Sequence, residues 1–354
     1  MKLEHYLDAL KRQAAEKRRA RGLPVTQEAR ARLIAAFERL LGDFPEDGDD
    51  LRPQLVEKVA CDGYTRELVE IGTVEGLRMR VYVLVPTGAG PQAAKLPAVI
   101  ALHGHGYGAR EIVGLEPDGR ERAGEAGLHK DFAVALARQG FVAIAPELAG
   151  FGDRRLEEDT AQGPGQSSCF RLAVHLLMTG RTVAGLRVRE TKSAIDYAQS
   201  RGEVDPSRIG IMGISGGGLV AGFTAALDPR ISCAVVSGYA SLFEESILDR
   251  NHCLDNYIPG LLPEAEMPDL LGLIAPRGLF LESGDTDRVF PREPAVKALE
   301  QLKVLYAEAG AADAVQADFF EGGHEIHGEP AYAWLREQLQ SAASNGYEER
   351  GLTR

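Results

Sequence analysis

The feature that most constrains this chain is a short glycine-rich turn between a strand-forming run and an apolar helix. Residues 209–212 are apolar, the turn that follows carries Gly213, Ser215 and Gly217, and a helical pattern begins near Leu219. These residues fit G-x-S-x-G in the strand–turn–helix context that the motif requires. Glycine neighbours let strand and helix approach, and the serine takes a strained backbone conformation that exposes its hydroxyl. The pattern predicts a nucleophilic serine, although a turn without chemistry can carry the same letters.

Strand and helix patterns alternate over most of the chain. A continuous apolar run at 98–102 is typical of a strand buried on both faces of a parallel sheet. Alternating apolar residues at 77–85 predict a half-buried strand at an antiparallel edge. The chain therefore predicts an α/β fold with a mostly parallel central sheet flanked by helices. Strands are expected at 98–102, 141–145, 209–212, 231–236, 279–282 and 315–320. Helices are expected at 130–138, 183–199 and 295–309, and two more are expected to begin near 219 and 330.

Two helical patterns precede this core. The first starts at Leu3, and the second lies between a Thr26 N-cap and Gly42. We predict an N-terminal helical arm at 1–50, ending in an acidic linker, which either packs on the body or supports a homo-oligomer. The catalytic domain is placed at 51–343 and a polar tail at 344–354.

Composition narrows the possible partners. The net charge of −12 and pI near 5.3 argue against nucleic acid or an anionic membrane as the main partner. No apolar run reaches membrane-spanning length and the N-terminus lacks a secretory core, which predicts a cytoplasmic protein. The four cysteines, Cys61, Cys169, Cys233 and Cys253, form no C-x-x-C pair. Reduced thiols are therefore expected, and neither structural zinc nor any cofactor is predicted.

Partners for the serine occur in two loops late in the chain. Asp287 follows the predicted strand at 279–282, and His324 follows the strand at 315–320. The order Ser215, Asp287, His324 is that of α/β-hydrolase triads, and each residue lies directly after a strand. Asp285 remains an alternative acid, which we disfavour because Asp287 lies further round the turn.

The remaining histidines leave further choices open. His327 is a weaker alternative base than His324, because it lies nearer the last helix. An oxyanion hole needs two donors, and the loop after strand 98–102 together with the start of the serine helix supplies the backbone N–H groups of His105 and Gly216. The ring of His103 is expected to brace this loop. His-x-His also suggests a metal, but no neighbouring ligand pattern completes a set, so no metal site is predicted.

With these residues the chain resembles the α/β-hydrolase superfamily, and within it the esterases similar to dienelactone hydrolase and acetyl xylan esterase. The resemblance covers roughly residues 75–340 and implies Ser215 as nucleophile, Asp287 as acid and His324 as base. Dienelactone hydrolases use cysteine as nucleophile, so their lactone specificity is not carried over. The resemblance is carried by HGHG at 103–106, GISGGG at 213–218, CLDNYIPG at 253–260, LIAPR at 273–277, SGDTDRVFP at 283–291 and GGHE at 322–325.

The expected function is hydrolysis of a small or medium acyl ester, such as an acetylated sugar, through an acyl-enzyme. Two segments, 150–182 and 241–267, interrupt the alternation of strands and helices and are predicted to form the substrate pocket. Cys169 and Cys253 lie in these segments and either line the pocket or are buried as small apolar residues. The alternatives are a serine peptidase of the prolyl-oligopeptidase kind, a non-catalytic binding protein with this fold, and a metal-dependent hydrolase.

Overall fold

A computed structural model describes residues 2–45, 51–74, 76–89 and 94–348, with side chains as far as residue 340. Within these residues the strands form one nine-stranded sheet in the order β1-β2-β3-β5-β4-β6-β7-β8-β9. The first three strands and β5 pair antiparallel, and β5, β4, β6, β7, β8 and β9 are parallel. The strands are β1 Gln54–Cys61, β2 Tyr64–Gly72, β3 Arg78–Pro86, β4 Leu96–Leu102, β5 Val142–Pro146, β6 Val204–Ile214, β7 Ile231–Ser237, β8 Gly278–Gly284 and β9 Val315–Phe320.

The helices cover both faces of the sheet. The α-helices are α1 Leu3–Arg21, α2 Gln27–Leu41, α3 Phe132–Arg138, α4 Glu157–Thr160, α5 Cys169–Met178, α6 Val183–Ser200, α7 Gly216–Leu227, α8 Met267–Leu271, α9 Arg292–Glu308 and α10 Glu329–Glu348. Because successive side chains of a strand point to opposite faces of the sheet, a strand covered on both faces contributes residues to two hydrophobic cores. Ile211 belongs to the core beneath α2, α6, α7 and α9, whereas Met212 belongs to the core beneath α3 and α10.

The predicted fold class is confirmed, and one detail of the edge is wrong. The strand expected at the antiparallel edge is β3, which has two further strands outside it and buries both of its faces at Val81, Tyr82 and Val83. The exposed edge is β1, whose residues are mostly accessible. Around β1 the sequence shows only that the spacing of apolar residues changes from helical to alternating. The pairing of β1 with β2 depends on a turn at 62–63.

The N-terminal helices pack on the body. The Phe37 ring of α2 is fully buried and lies edge-on to Phe223 of α7, with 4.9 Å between ring centroids. In α1, the Arg18 guanidinium donates to the Leu262 carbonyl at 2.6 Å and pairs with Glu244 at 2.7 Å. Oligomer contacts through these helices remain a prediction. Apolar side chains of α1 are exposed at Leu3, Tyr6, Leu7 and Leu10.

The two ends of the predicted layout fall partly outside the description. Most of the acidic linker, at 46–50, and the end of the tail, at 349–354, lie outside the described residues. The last helix continues to Glu348, beyond the predicted tail boundary at 344. None of the helices in the described ranges is long and apolar enough to cross a membrane.

Candidate active site

Ser215 lies at the junction of the central strand β6 and helix α7. Its backbone adopts φ 56° and ψ −123°, a conformation that non-glycine residues rarely occupy. The Ser215 N–H donates to the Ser237 carbonyl at the end of β7, at 2.9 Å, which holds the turn against the sheet. A Cβ atom on Gly217 would lie 2.1 Å from the Leu102 carbonyl oxygen, and one on Gly213 would lie 2.2 Å from the Gly217 oxygen. Glycine is therefore required on both sides of the serine.

His324 and Asp287 form a hydrogen-bonded pair. The His324 Nδ1 atom lies 2.7 Å from Asp287 Oδ2. The other carboxylate oxygen, Oδ1, accepts the backbone N–H groups of Val289 at 2.7 Å and Phe290 at 2.9 Å. Asp287 is 5% exposed, so its orientation is fixed by three hydrogen bonds in a nearly closed site. This arrangement orients the imidazole and leaves its Nε2 atom for another partner.

The alternative acid and base have other partners. Asp285 forms an ion pair with Arg292 on the surface. His327 places Nδ1 2.5 Å from Asp318 Oδ2, and its side chain is 45% exposed. Of the two aspartates and two histidines that the sequence left open, Asp287 and His324 are the two that pair with each other.

The serine loop and the histidine–aspartate pair meet at the end of β7. Gly238 directly follows the residue whose carbonyl accepts the Ser215 N–H. A Cβ atom on Gly238 would lie 3.1 Å from His324 Cε1 and 3.7 Å from Asp287 Oδ2. The structure thus brings the three loops to the carboxyl edge of the parallel strands, where ligands bind in sheets of this kind.

The predicted oxyanion donors belong to two loops that touch. Gly216 is the first residue of α7, and a Cβ atom there would lie 3.2 Å from both Cε1 and Nδ1 of the His105 ring. Among the described residues, no acceptor is hydrogen-bonded to the backbone N–H of His105 or of Gly216. The first N–H groups of a helix have no intrahelical partner, and the helix dipole favours negative charge there. These two groups can therefore receive a developing oxyanion.

Two buried histidines position the loop after β4. His103 Nδ1 donates to the Gly104 carbonyl at 2.8 Å, while its Nε2 accepts the Leu148 N–H at 3.1 Å. The expected bracing role of this ring matches these contacts. His129 Nε2 accepts the Gly104 N–H at 2.9 Å. A Cβ on Gly104 would lie 3.1 Å from Ser215 Cβ, so both rings support the backbone beside the serine.

His129 was missed by sequence reasoning. It lies in a loop 25 residues after the backbone group that it contacts, and no periodic pattern marks it. The residue is fully buried, and burial lowers the pKa of its imidazole even though Glu111 lies 3.2 Å from Nδ1. A neutral ring is required for Nε2 to accept a hydrogen bond.

Residues of both predicted insertions lie near the site. His252, from segment 241–267, lies 5.1 Å from the Phe290 ring, which is stacked on His324 at 6.0 Å between centroids. Cys169, from segment 150–182, lies near His105 together with Cys253 and Asp255. The substrate-binding role of both segments remains a prediction.

The strand order and the strained serine turn after the central strand make this protein an α/β-hydrolase. The chain belongs to the Abhydrolase family, whose sequence profile matches residues 26–318. A curated relative from Bacillus subtilis (strain 168), named "Putative hydrolase YtaP", is 33% identical over 298 residues, covering 81% of this chain and 91% of the relative.

Solved structures show the same fold at low identity. A protein of Bacteroides fragilis NCTC 9343, described as a putative acetyl xylan esterase, matches with a TM-score of 0.70 and 18% identity over 83% of this chain and 75% of its own. A glucuronoyl esterase from Solibacter usitatus matches with a TM-score of 0.64 and 18% identity over 90% of this chain and 92% of its own. The predicted resemblance to α/β-hydrolases is confirmed.

Proposed function

We propose that this protein is a serine esterase that hydrolyses small or medium acyl esters, with Ser215 as nucleophile, His324 as base and Asp287 as acid. The observation that carries the proposal is that a strained serine and a histidine–aspartate pair lie at adjacent residues at the end of β7. The Ser237 carbonyl accepts the Ser215 N–H, and Gly238 lies beside His324 and Asp287. Strain at a strand-to-helix turn is typical of a nucleophile that must project from the sheet. The solved structures with this fold include proteins named as esterases.

The proposed reaction proceeds in two acyl-transfer steps. Ser215 Oγ attacks the ester carbonyl carbon while His324 Nε2 takes the hydroxyl proton, and Asp287 stabilises the imidazolium. The tetrahedral oxyanion receives hydrogen bonds from the N–H groups of His105 and Gly216. The intermediate collapses, the alkoxide leaves with the proton from His324, and an acyl-enzyme remains. His324 then takes a proton from a water molecule, whose oxygen attacks the acyl carbonyl; as this second intermediate collapses, His324 returns the proton to Ser215 Oγ and the acid is released.

Carbohydrate acetyl esters are the substrate class that we favour. Aromatic residues make up 6% of the chain and the sequence has one tryptophan, a composition that gives no sign of a broad lipid-binding lid. The structural neighbours named acetyl xylan esterase and glucuronoyl esterase act on sugar esters by name. We propose that segments 150–182 and 241–267 bind the sugar.

Ester hydrolysis by matched serine variants tests the proposal. We expect the purified protein to hydrolyse p-nitrophenyl acetate faster than longer acyl esters and to release acetate from acetylated xylo-oligosaccharides. Ser215→Ala should lower kcat by at least about 10³-fold. Ser232→Ala, at the opposite end of β7, should leave kcat unchanged. Equal loss in both variants, or full activity of Ser215→Ala, would contradict the proposal.

The same preparation separates the alternatives. A prolyl-oligopeptidase-like peptidase would cleave peptide p-nitroanilides in preference to acyl esters. A non-catalytic binding protein would turn over neither class of substrate. A fluorophosphonate, which modifies a nucleophilic serine, should abolish hydrolysis by the serine mechanism, whereas a metal-dependent hydrolase would keep its activity after that treatment.

A further inference from the structure

Four side chains with metal-binding atoms gather beside the proposed oxyanion hole. His105 comes from the loop after β4, Cys169 begins α5, and Cys253 and Asp255 lie in segment 241–267. One ligand atom from each lies within 4.8 Å of all the others. His105 Nε2 is 3.4 Å from Asp255 Oδ2, and Cys169 Sγ is 4.0 Å from the same oxygen. In a tetrahedral zinc site, bonds of 2.0–2.3 Å place neighbouring ligand atoms about 3.3–3.8 Å apart.

The imidazole nitrogen that faces this cluster lacks a hydrogen-bond partner. His105 Nε2 is buried from solvent and has no hydrogen bond within the described residues. Leaving a buried polar atom unpaired costs about 1–3 kcal/mol, so such atoms usually have a partner. The ring packs edge-on against Phe151, at 5.1 Å between centroids, and a Cβ atom on Gly216 would lie 3.2 Å from it. Nε2 therefore faces two cysteine sulfur atoms and a carboxylate.

A buried arginine lies directly behind the cluster. Arg187 is 1% exposed; its Nη1 donates to Asp255 Oδ2 at 2.6 Å and its Nη2 to Cys169 Sγ at 3.0 Å. N–H groups behind a metal site orient the ligand atoms and tune their charge.

The charges select a divalent ion. Cysteines bind metals as thiolates, so Cys169, Cys253 and the Asp255 carboxylate would carry three negative charges as ligands, and Arg187 offsets one of them. A divalent cation makes the group neutral, whereas a monovalent ion leaves an uncompensated charge beside the buried Asp255 and Cys169. Sulfur and imidazole ligands favour zinc over the hard cations magnesium and calcium.

We propose that His105, Cys169, Cys253 and Asp255 form a structural zinc site that joins the loop after β4 to both insertions. All four positions of a tetrahedral ion are filled by protein atoms, which is the arrangement of a structural rather than a catalytic site. The ion would bind the side chain of His105, whose backbone N–H is the proposed oxyanion donor, and so would fix the position of the loop after β4. The site does not depend on the proposed esterase function, and metal binding is measured without a substrate.

Zinc titration of the full chain tests the site. The protein is reduced with a phosphine, stripped with a chelator and titrated with Zn²⁺ in competition with a chromophoric chelator. We expect saturable binding of one ion per chain, established by elemental analysis. Cys253→Ser should weaken binding by at least about 100-fold. Cys61→Ser, on β1 at the sheet edge, is the matched control and should leave the affinity unchanged.

Cobalt substitution supplies a second readout that needs no variant. Co²⁺ in the wild-type protein should show thiolate-to-cobalt charge-transfer absorption and the strong visible bands of a tetrahedral ion. Absence of saturable Zn²⁺ binding would overturn the proposal, as would a Co²⁺ spectrum without thiolate bands or an equal loss of affinity in Cys61→Ser. If Cys253→Ser does not fold, the wild-type stoichiometry and cobalt spectrum decide the question alone.

Discussion

The Nδ1 atom of His324 lies 2.7 Å from the Oδ2 atom of Asp287, and the second oxygen of that carboxylate is held by two backbone N–H groups. A carboxylate held in this way fixes the tautomer and the orientation of the imidazole, which a proton-accepting Nε2 requires. Asp285, two residues earlier, pairs instead with Arg292 at the surface. The two aspartates therefore form a matched test of the proposed acid.

Asp287→Asn should lower kcat for ester hydrolysis by about 10⁴-fold, because an amide stabilises the wrong imidazole tautomer while keeping the shape of the side chain. Asp285→Asn should leave kcat close to the wild-type value. Steady-state kinetics on p-nitrophenyl acetate, with circular dichroism to verify folding, provide the measurement. Similar rates for the two variants would show that the pair at His324 has no role in the reaction.

Gly217, two residues after the serine, should tolerate no side chain. Gly217→Ala would place a methyl group 2.1 Å from the Leu102 carbonyl oxygen, a backbone atom in the central sheet. We expect the free energy of unfolding to fall by at least about 1–3 kcal/mol, the usual cost of overpacking. Gly202→Ala is the control, since its added Cβ meets no atom within 4 Å. Urea unfolding of both variants checks the prediction, which fails if they are equally stable.

His129 should make stability depend on pH. Burial lowers the pKa of its imidazole below the ordinary value of 6.5, so the folded state resists protonation more than the unfolded state does. Its contribution to stability is complete above pH 6.5 and is lost as pH falls toward the folded-state pKa. We expect His129→Gln, which keeps an acceptor for the Gly104 N–H, to flatten the loss of stability between about pH 8 and pH 5.

Urea unfolding at several pH values provides the comparison for His129. His175→Gln, which replaces an exposed histidine of α5, is the control and should keep the wild-type pH dependence. A slope that is the same in the wild type and in His129→Gln would show that this ring does not titrate differently on unfolding.

Arg30 should contribute more to stability than its neighbour Arg32. The Arg30 guanidinium donates to the carbonyls of Gly272, Leu273 and Ala275, at 3.1, 2.8 and 2.6 Å, and joins α2 to the segment before β8. Arg30→Ala should lower the free energy of unfolding by about 1.5–3 kcal/mol, the usual range for a charged hydrogen-bonding group. Arg32→Ala removes an exposed side chain and should change stability by less than about 0.5 kcal/mol. Equal effects in denaturant titrations would contradict this account of the arm.

The parallel core was predictable because its strands carry local signals. The apolar run at 98–102 and the strand at 315–320 need no knowledge of their neighbours, and β4 and β9 are found there. The turn at Ser215 was predictable for the same reason, since glycine spacing reports a steric requirement along the chain. The position of β3 inside the sheet was not, because pairing with β2 depends on register between separate segments.

The contacts around the site join residues that are close in space but far apart in the sequence, so sequence patterns do not reveal them. A choice between Asp285 and Asp287 needs the geometry of one turn, which composition does not fix. The group formed by His105, Cys169, Cys253 and Asp255 spans segments about 60 to 150 residues apart, so spacing rules for zinc ligands could not detect it. The absence of a C-x-x-C pair excludes a local zinc motif only.

Covalent labelling tests the central claim most directly. The protein is treated with a fluorophosphonate, digested and analysed by mass spectrometry, with His324→Gln and Ser215→Ala alongside. We predict one phosphonyl group per chain on Ser215, slow labelling in His324→Gln and none in Ser215→Ala. Labelling of another serine, or full-rate labelling of Ser215 when His324 is replaced, would contradict the account.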